Sequence, residues 1–484
     1  MLIARSVSRM LAGLLFASQV LSAQAVELPA AFTEALKQAG IPLGHVAVVV
    51  QPLDAAAPVL SHNAAAAMNP ASVMKLVTSF AALNLLSPGY VWTTELWANG
   101  PIESGVLKGD LVIKGYGDPT LTLERMWLLQ RALRARGVHH IRGNLVLDAS
   151  HFDLPTLDPG AFDGEPLAPY NAVPGALVAN FNALTLRLEP DGEQVKIVPD
   201  IALPGVALRS QLVLESSTEC NDWKDAITPT LPEGERFALV LRGRYARACG
   251  EKALTLNLFE PITTFDLIFR GLWGEAGGSI SGTTQIDKAP TSEPFLKFAS
   301  VPLTEALTRL NKYSNNLMSR NVFLTLGAEK RGAPATLEKG ADAVTQVLAQ
   351  RGVSTHKLVL ENGAGLSRIE RISAATLSQL LGAAYRSPVF AEFESALPIV
   401  AVDGTLKKRF NGSALTGRAH LKTGSLRDVS ALAGYIYTAR DERVSFVMLV
   451  NHANARHSEA AQRALLEWVQ MNGGSEAVQE VTLH

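Results

Sequence analysis

Short runs of apolar residues near both ends of the chain have the pattern of buried β-strands. They cover residues 46–50, 431–437 and 444–450. Apolar residues recur at helical spacing after Ser72, and again at residues 303–310 and 458–469. The pattern predicts an α+β fold, in which an antiparallel sheet has its first and last strands close together and carries helices on its faces.

Residues 90–289 follow a different pattern, which predicts a large insertion in the sheet domain. An amphipathic helix is expected at residues 123–136. The remaining strand-like segments are short and bounded by turn residues. They cover residues 92–97, 111–114, 145–148, 195–198, 206–208, 237–242 and 254–258. We interpret the insertion as β-rich and as two small domains, flanked by two segments of the sheet domain at residues 26–89 and 290–484.

The first 25 residues have the features of a secretory signal peptide. Arg5 and Arg9 supply the positive region, residues 11–21 are mostly apolar, and residues 23–25 form an A-x-A cleavage site. The apolar run is too short to span a membrane comfortably, and no later run is long enough. We therefore predict an exported protein that begins at Val26 and keeps no transmembrane anchor after cleavage.

The composition argues against several classes of function. A formal net charge of −1 argues against a nucleic-acid binder, which would carry a strongly basic surface. The chain has two cysteines, Cys220 and Cys249, which form either one local disulfide or two buried thiols. We find no metal-binding, phosphate-loop or dinucleotide motif, and we interpret the adjacent His139 and His140 as a surface turn. The sequence therefore predicts neither a metal nor a cofactor.

Three short motifs carry the chemistry, in the order S-x-x-K, S-x-N and K-T-G. They are Ser72 to Lys75, Ser314 to Asn316, and Lys422 to Gly424. Each motif alone is weak, since the chain has a second S-x-x-K at residues 354–357 and a second S-x-N at residues 61–63. Their order and local setting make the set typical of serine acyl-transfer enzymes that process penicillin-like amides.

The first motif has the parts of an activated serine nucleophile. Ser72 begins a helical pattern, and the dipole of a helix N-terminus favours negative charge on its oxygen. Lys75 lies on the same face and can take the hydroxyl proton, provided that burial or a nearby cation lowers its pKa. Lys422 is the expected cation. Taken alone, the pair fits a capping serine and a solvated lysine equally well.

The other two motifs offer a proton relay and substrate-binding groups. Ser314 can relay a proton to a leaving amine and the Asn316 amide can donate to a substrate backbone, although a simple N-cap pair is the alternative.

The K-T-G segment is predicted at a sheet edge, where an extended peptide can add as a further strand. Lys422 and Thr423 would hold a terminal carboxylate, and Gly424 would leave room for close approach. The backbone N–H groups of Ser72 and Ser425 would form an oxyanion hole.

The chain resembles the class C low-molecular-mass penicillin-binding proteins, a family of D-alanyl-D-alanine carboxypeptidases and endopeptidases. Beyond the three motifs, the resemblance includes residues 115–121, 300–303, 311–316, 365–368 and 403–406. It implies a β-lactamase-like transpeptidase domain interrupted by the insertion.

The resemblance implies that Ser72 attacks the D-Ala–D-Ala bond of a peptidoglycan stem peptide, releases D-Ala and forms an acyl-enzyme that water hydrolyses. It also implies cleavage of D-alanyl–diaminopimelate cross-links, covalent inhibition by β-lactam antibiotics and a periplasmic location. The oligomeric state stays open.

Three further residues are candidates for the diamino-acid side chain of that substrate. Arg368 can grip its carboxylate, or it can form a structural salt bridge. Glu165 and Tyr170 would meet the ammonium end, which requires the insertion to fold over the site. Two other functions stay open: a serine β-lactamase, which needs a second base for rapid deacylation, and a non-catalytic cell-wall-binding scaffold.

Overall fold

The computed structural model describes residues 27–235 and 237–473 of the chain. The predicted signal peptide therefore lies outside the described residues. Within those two ranges, no helix combines the length and the apolar character that a membrane span requires.

The first part of the chain supplies two strands of the main sheet and a buried helix. Its elements are α1 Ala30–Gln38, β1 Val46–Pro52, β2 Leu60–His62, β3 Ala67–Met68 and α2 Met74–Leu86. The predicted strand at residues 46–50 is present, and it continues to Pro52 because Gln51 and Pro52 still pair with Ser445 and Val444.

The insertion is built mainly of short strands, with two helices among them. Its elements are β4 Thr93–Asn99, β5 Ile102–Glu103, β6 Val106–Leu107, β7 Asp110–Lys114, α3 Leu123–Ala135, β8 His140–Ile141, β9 Leu145–Asp148, β10 Leu184–Asp191, β11 Gln194–Pro199, β12 Ala207–Glu215, β13 Ile227–Thr230, β14 Ala238–Ala246, β15 Lys252–Leu256, α4 Pro261–Glu275, β16 Ser279–Ile280, β17 Thr284–Ile286 and β18 Leu296–Ala299. The helix α3 was predicted, whereas α4 was not. The strand expected at residues 206–208 is part of the much longer β12.

The last part of the chain returns to the main sheet after three consecutive helices. Its elements are α5 Leu303–Lys312, α6 Asn316–Arg331, α7 Leu337–Gln350, β19 Ile372–Ser373, α8 Ala374–Tyr385, α9 Phe390–Ser395, β20 Ala419–Leu426, β21 Val429–Tyr437, β22 Arg443–Asn451 and α10 Glu459–Asn472.

The main sheet has the strand order β2-β1-β22-β21-β20, and every neighbouring pair is antiparallel. The first strand pairs directly with the last, with Val46 opposite Val450. This confirms the predicted α+β fold with its terminal strands together. It also leaves β20, which carries the K-T-G motif, at one edge of the sheet.

Helices cover both faces of this sheet, and β1 shows why its sequence is continuously apolar. Val46, Val48 and Val50 belong to one buried cluster together with Phe32 of α1 and Leu465 of α10. The intervening Ala47 and Val49 belong to a second cluster with α2 and α5. Because both faces of the strand are buried, no polar alternation appears.

Four sheets of the insertion share one cluster of buried apolar side chains. The prediction of two small domains therefore stays a prediction, since these four sheets of the insertion do not have separate cores. One strand also crosses the predicted boundary, because β18 pairs antiparallel with β4, Leu296 opposite Leu96. The strand pairing of the insertion thus continues past residue 289.

The two cysteines are joined in the structure by a disulfide between Cys220 and Cys249. Cys249 lies in the short turn that follows β14, and Cys220 lies between β12 and β13. The bond therefore ties two neighbouring loops of one small sheet. It lies outside the cluster of motifs described below.

Candidate active site

Ser72 lies in a 3₁₀ turn, Ala71–Val73, that leads directly into α2. The side chain of Asn69 shapes this turn: its Oδ1 accepts from the N–H of Ala71 at 2.9 Å, and its Nδ2 donates to the carbonyl of Ser367 at 2.8 Å. Ala71 adopts a positive φ of 46°, an unusual conformation for a residue with a Cβ. Ser72 is thus presented, half-buried, on a turn that several parts of the chain hold in place.

Lys75 is completely buried, one turn after Ser72. Its Nζ donates to the Ser72 Oγ at 3.0 Å, the Asn316 Oδ1 at 2.7 Å and the Ala364 carbonyl at 2.5 Å. Burial lowers the pKa of Lys75 well below its ordinary value, and the nearby positive charge of Lys422 lowers it further. The solvated-lysine alternative is therefore excluded for Lys75.

The S-x-N motif forms the junction between α5 and α6. Ser314 has a positive φ of 55° at this junction, and the side chain of Asn315 accepts from the N–H of Met318 at 2.9 Å. Asn315, the middle residue, is therefore the N-cap of α6. Because Asn315 does the capping, the side chains on either side of it are free to contact the two lysines, Ser314 with Lys422 and Asn316 with Lys75.

Asn316 has partners within the chain at both ends of its amide. Its Oδ1 accepts from Lys75, and its Nδ2 donates to the backbone carbonyl of Tyr170 at 2.9 Å. The sequence analysis expected that amide to donate to a substrate backbone, whereas here the carbonyl of Tyr170 occupies the position. The insertion therefore reaches the motifs directly.

Lys422 is the second fully buried lysine of the site. Its Nζ donates to the Ser314 Oγ at 2.8 Å and to the carbonyl of Thr423, also at 2.8 Å. Burial lowers the pKa of Lys422 to about 7. The adjacent Thr423 shares a hydrogen bond of 2.9 Å with the hydroxyl of Thr405. The K-T-G edge strand is thus joined to both the S-x-N junction and the segment around residue 404.

A glycine is required at position 424 because the protein's own backbone approaches it closely. A Cβ built on Gly424 would lie 2.5 Å from the Pro70 carbonyl oxygen and 3.0 Å from the backbone nitrogen of Ser72. The expected role, room for a substrate, is thus corrected: the space is filled by the turn that carries Ser72. Ser425 follows as an exposed residue of the same strand.

Sequence reasoning missed a buried charge beneath the site. The carboxylate of Glu370 accepts from the backbone N–H groups of Glu361, Asn362 and Gly363 at 3.0 to 3.1 Å. Burial raises its pKa and these hydrogen bonds oppose that effect. The loop it holds continues into Ala364, whose carbonyl meets Lys75. Nothing in the local spacing marks Glu370, because its partners lie seven to nine residues earlier in a folded loop.

Arg368 lines a cleft of about 240 Å³ between the loop at residues 361–369 and the insertion. Its guanidinium is 3.3 Å from the carboxylate of Asp428 and stacks over the ring of Phe162, 4.3 Å from the ring centroid. Phe162 and Asp158, which the sequence analysis missed, come from the insertion and line the same cleft. Arg368 therefore makes a salt bridge and also faces a space that can hold a ligand.

Glu165 and Tyr170 lie close to that cleft but bind within their own loop. The hydroxyl of Tyr170 donates to Asp163 at 2.9 Å, and the backbone N–H of Glu165 donates to the same side chain at 3.1 Å. Burial and the hydrogen bond to Asp163 raise the pKa of Tyr170 to about 12. The structure thus brings the backbone of Tyr170 to Asn316, and its ring to Asp163.

Known proteins are similar to this chain both in sequence and in fold. A D-alanyl-D-alanine carboxypeptidase from Actinomadura sp. (strain R39) is 30% identical to this chain, over 76% of this chain and 70% of its own length. The solved structure of penicillin binding protein 4 (dacB) from Haemophilus influenzae superposes with a TM-score of 0.76, at 25% identity, over 91% of this chain and 99% of that one. A second structure of that protein, complexed with a novel β-lactam, gives a TM-score of 0.72 at 24% identity, with the same two coverages.

The family comparison covers both the motif-bearing domain and the insertion. The model of the D-Ala-D-Ala carboxypeptidase 3 (S13) family matches residues 28–471. That range includes every residue of the cluster around Ser72. The chain therefore belongs to the D-Ala-D-Ala carboxypeptidase 3 (S13) family.

Proposed function

We propose that this protein is an exported serine DD-peptidase that cleaves the terminal D-Ala–D-Ala bond of peptidoglycan stem peptides, and D-alanyl–diaminopimelate cross-links, through an acyl-enzyme on Ser72. The observation that carries the proposal is the convergence of the three motifs. Ser72 Oγ lies 3.0 Å from Lys75 Nζ, and Lys422 Nζ lies 2.8 Å from Ser314 Oγ.

Acylation begins with removal of the Ser72 proton. A lysine can accept it only in the neutral form, and burial together with the charge of Lys422 favours that form for Lys75. The Ser72 oxygen then attacks the carbonyl carbon of the penultimate D-Ala. The backbone N–H groups of Ser72 and Ser425 stabilise the negative oxygen of the tetrahedral intermediate.

The leaving amine needs a proton before the C–N bond can break. Ser314, whose hydroxyl accepts from Lys422 at 2.8 Å, relays to the amine the proton that Lys75 took from Ser72, and Lys75 thereby returns to its neutral form. Free D-Ala then departs and the acyl group stays on Ser72 as an ester. Water then attacks the ester while the neutral Lys75 accepts its proton, and Lys75 passes that proton to the departing Ser72 oxygen, which regenerates the serine.

Two regions supply specificity. Lys422 and Thr423 bind the terminal carboxylate of the substrate at the sheet edge, where the peptide adds beside β20. Arg368, with Phe162 beneath its guanidinium, binds a carboxylate of the diamino-acid side chain in the cleft of about 240 Å³. Glu165 and Tyr170 would meet the ammonium end of the same side chain.

A β-lactam would acylate the same serine, because its strained amide resembles the D-Ala–D-Ala bond in shape and charge. The leader pattern at residues 1–25 supports export to the periplasm, where peptidoglycan lies. The proposed chemistry needs no metal and no cofactor, since two lysines and a helix N-terminus supply its charges.

The test is release of D-Ala from a peptide that ends in D-Ala–D-Ala, by the wild-type enzyme and by Ser72→Ala. We expect at least a roughly 10³-fold loss of kcat in the variant, because no other group can form the ester. Ser354→Ala is the matched control: Ser354 opens the second S-x-x-K but is exposed, so its loss should leave the rate unchanged. Equal activity of wild type and Ser72→Ala would refute the proposal.

A further inference from the structure

A second, larger cleft adjoins the motifs and shares no lining residue with the cleft beside Arg368. Its volume is about 740 Å³. It lies between the end of α5, the start of α6, the segment at residues 403–404 and the insertion loop around Phe181. Its volume falls within the range of about 300–1,000 Å³ that is typical of ligand sites.

This cleft adjoins two of the segments that build the active site. Tyr313 and Asn315 line it and flank Ser314, the proposed proton relay. Gly404 also lines it, and the next residue, Thr405, bonds the Thr423 hydroxyl. The cleft is therefore next to the proposed proton relay and to a segment that contacts Thr423, both of which the proposed reaction assigns to the leaving side.

The walls of the cleft are formed before any ligand binds. The ammonium of Lys312 lies 2.6 Å from the carboxylate of Asp403, which ties α5 to the segment after α9. On the insertion side, Asn180, Phe181 and Asn182 all have positive φ values, of 47°, 58° and 53°. The amide of Asn182 donates to Asn257 at 2.7 Å, and this bond helps to hold the loop in that conformation. Such preformed walls are the usual condition for a binding site.

The lining combines an exposed aromatic ring with charges of both signs, Arg309 and Lys312 beside Glu124, Glu305 and Asp403. Tyr313 is 76% exposed, a large aromatic surface with no packing role, directly beside the relay serine. The Arg309 side chain is 41% exposed and pairs with Glu305, 46% exposed, at 2.8 Å. Besides the larger effect of a hydrogen bond with Thr122, its charge also lowers the pKa of Glu124, another residue of this lining. Exposed pairs of this kind are weak, so Arg309 can exchange Glu305 for a carboxylate of a ligand.

A single D-Ala, the product of the carboxypeptidase reaction, does not need a cleft of this size. In cleavage of a cross-link, the leaving amine belongs to the diamino acid of a second stem peptide. The amide C–N bond breaks, the acyl group passes to the Ser72 oxygen, and the amine of the second stem takes the proton from the relay. That whole peptide must then be accommodated beyond Ser314.

We propose that this cleft is the subsite for the leaving stem peptide of a cross-link, with Tyr313 packing against its backbone and Arg309 binding one of its carboxylates. The inference rests on the proposed DD-peptidase function and deepens it. It assigns cross-link cleavage to residues that removal of a terminal D-Ala does not use.

The experiment compares two substrates, a cross-linked disaccharide-tetrapeptide dimer and a monomeric disaccharide-pentapeptide, for wild type, Tyr313→Ala and Arg309→Ala. We expect kcat/KM on the dimer to fall about tenfold or more in each variant, with at most about a twofold change on the pentapeptide. Tyr313→Phe should keep most of the dimer activity, because the ring and not the hydroxyl makes the contact.

Two matched controls remove comparable side chains elsewhere. Arg244 pairs with Glu215 at 3.2 Å on β14, and Ile286 is 71% exposed on β17. Arg244→Ala and Ile286→Ala should leave both substrates unaffected. Equal losses on the two substrates, or no loss on the dimer, would overturn the subsite. A wild-type enzyme that releases no D-Ala from the pentapeptide would instead overturn the proposed function.

Discussion

The proposed reaction gives the two buried lysines of the site different roles, a base for Lys75 and a cation for Lys422. Lys75 is surrounded by three oxygen acceptors, whereas Lys422 donates to one hydroxyl and one carbonyl. Besides burial, the charge of Lys422 is one cause that lowers the pKa of Lys75, and the proposed reaction accordingly orders the pair as a neutral Lys75 beside a charged Lys422. This ordering gives the base and the carboxylate-binding cation that the proposed reaction requires.

The ordering predicts a particular pH dependence. The pKa of Lys422 in the free enzyme is about 7, so above that pH the cation that binds the substrate carboxylate is progressively lost. We expect kcat/KM for D-Ala release to fall on the basic side from near neutral pH. The basic fall of kcat should lie at higher pH, since a bound carboxylate stabilises charged Lys422. A kcat/KM that stays constant through alkaline pH would contradict this account.

Gly424 is the residue at which a single methyl group should damage the site. The Cβ of Gly424→Ala would meet the Pro70 carbonyl at 2.5 Å, so the turn that carries Ser72 must shift. We expect the rate of acylation by benzylpenicillin to fall roughly 10-fold to 100-fold, because displacements near 1 Å have such effects on positioned groups. Gly89→Ala is the control, since nothing lies within 4 Å of its added Cβ. Equal acylation rates for the two variants would be inconsistent with the packing described.

At the scale of elements, four backbone segments come together to form the site. The turn before α2 supplies Ser72, the junction of α5 and α6 supplies Ser314, and the edge strand β20 supplies Lys422. The fourth is the loop at residues 361–370, which presents the Ala364 carbonyl to Lys75. Gly365 shows how closely this loop is packed, since a Cβ there would lie 1.8 Å from the carbonyl oxygen of Ala71.

The fourth segment provides a test through Glu370, which acts on Lys75 without touching substrate. The negative charge of Glu370 raises the pKa of Lys75, against the larger effects that lower it. Replacing Glu370 by Gln removes that charge, so the pKa of Lys75 should fall. The acid side of the kcat/KM profile should then move to lower pH, while the exposed control Glu338→Gln leaves it in place. A shift to higher pH, or no shift, would rule out this electrostatic role.

For the whole molecule, the sequence predicts the sheet well because its strands have a distinctive composition. Residues 46–50 are apolar on both faces, and burial on both sides of β1 is what the structure shows. The motif residues also assemble as expected, although Lys75 and Asn316 are 241 positions apart and Ser314 and Lys422 are 108 apart.

What the sequence did not reveal depends on contacts between distant segments. The carbonyl of Tyr170 on Asn316 and the ring of Phe162 under Arg368 arise only when the insertion folds against the motif-bearing domain. No local pattern encodes such contacts. The helix α4 was also missed, although its sequence carries a polar stripe, in which Asp266 and Arg270 pair one turn apart at 2.8 Å, opposite its buried residues.

The central claim is that Ser72 is the nucleophile of a penicillin-sensitive peptidase. The most direct test is the intact mass of the purified protein after incubation with excess benzylpenicillin, beside Ser72→Ala. The account predicts a lasting adduct of one benzylpenicillin on the wild type and none on the variant. An adduct on both proteins would place the nucleophile elsewhere. No adduct with rapid hydrolysis of the drug would indicate a β-lactamase, and no adduct with no hydrolysis would indicate a non-catalytic scaffold.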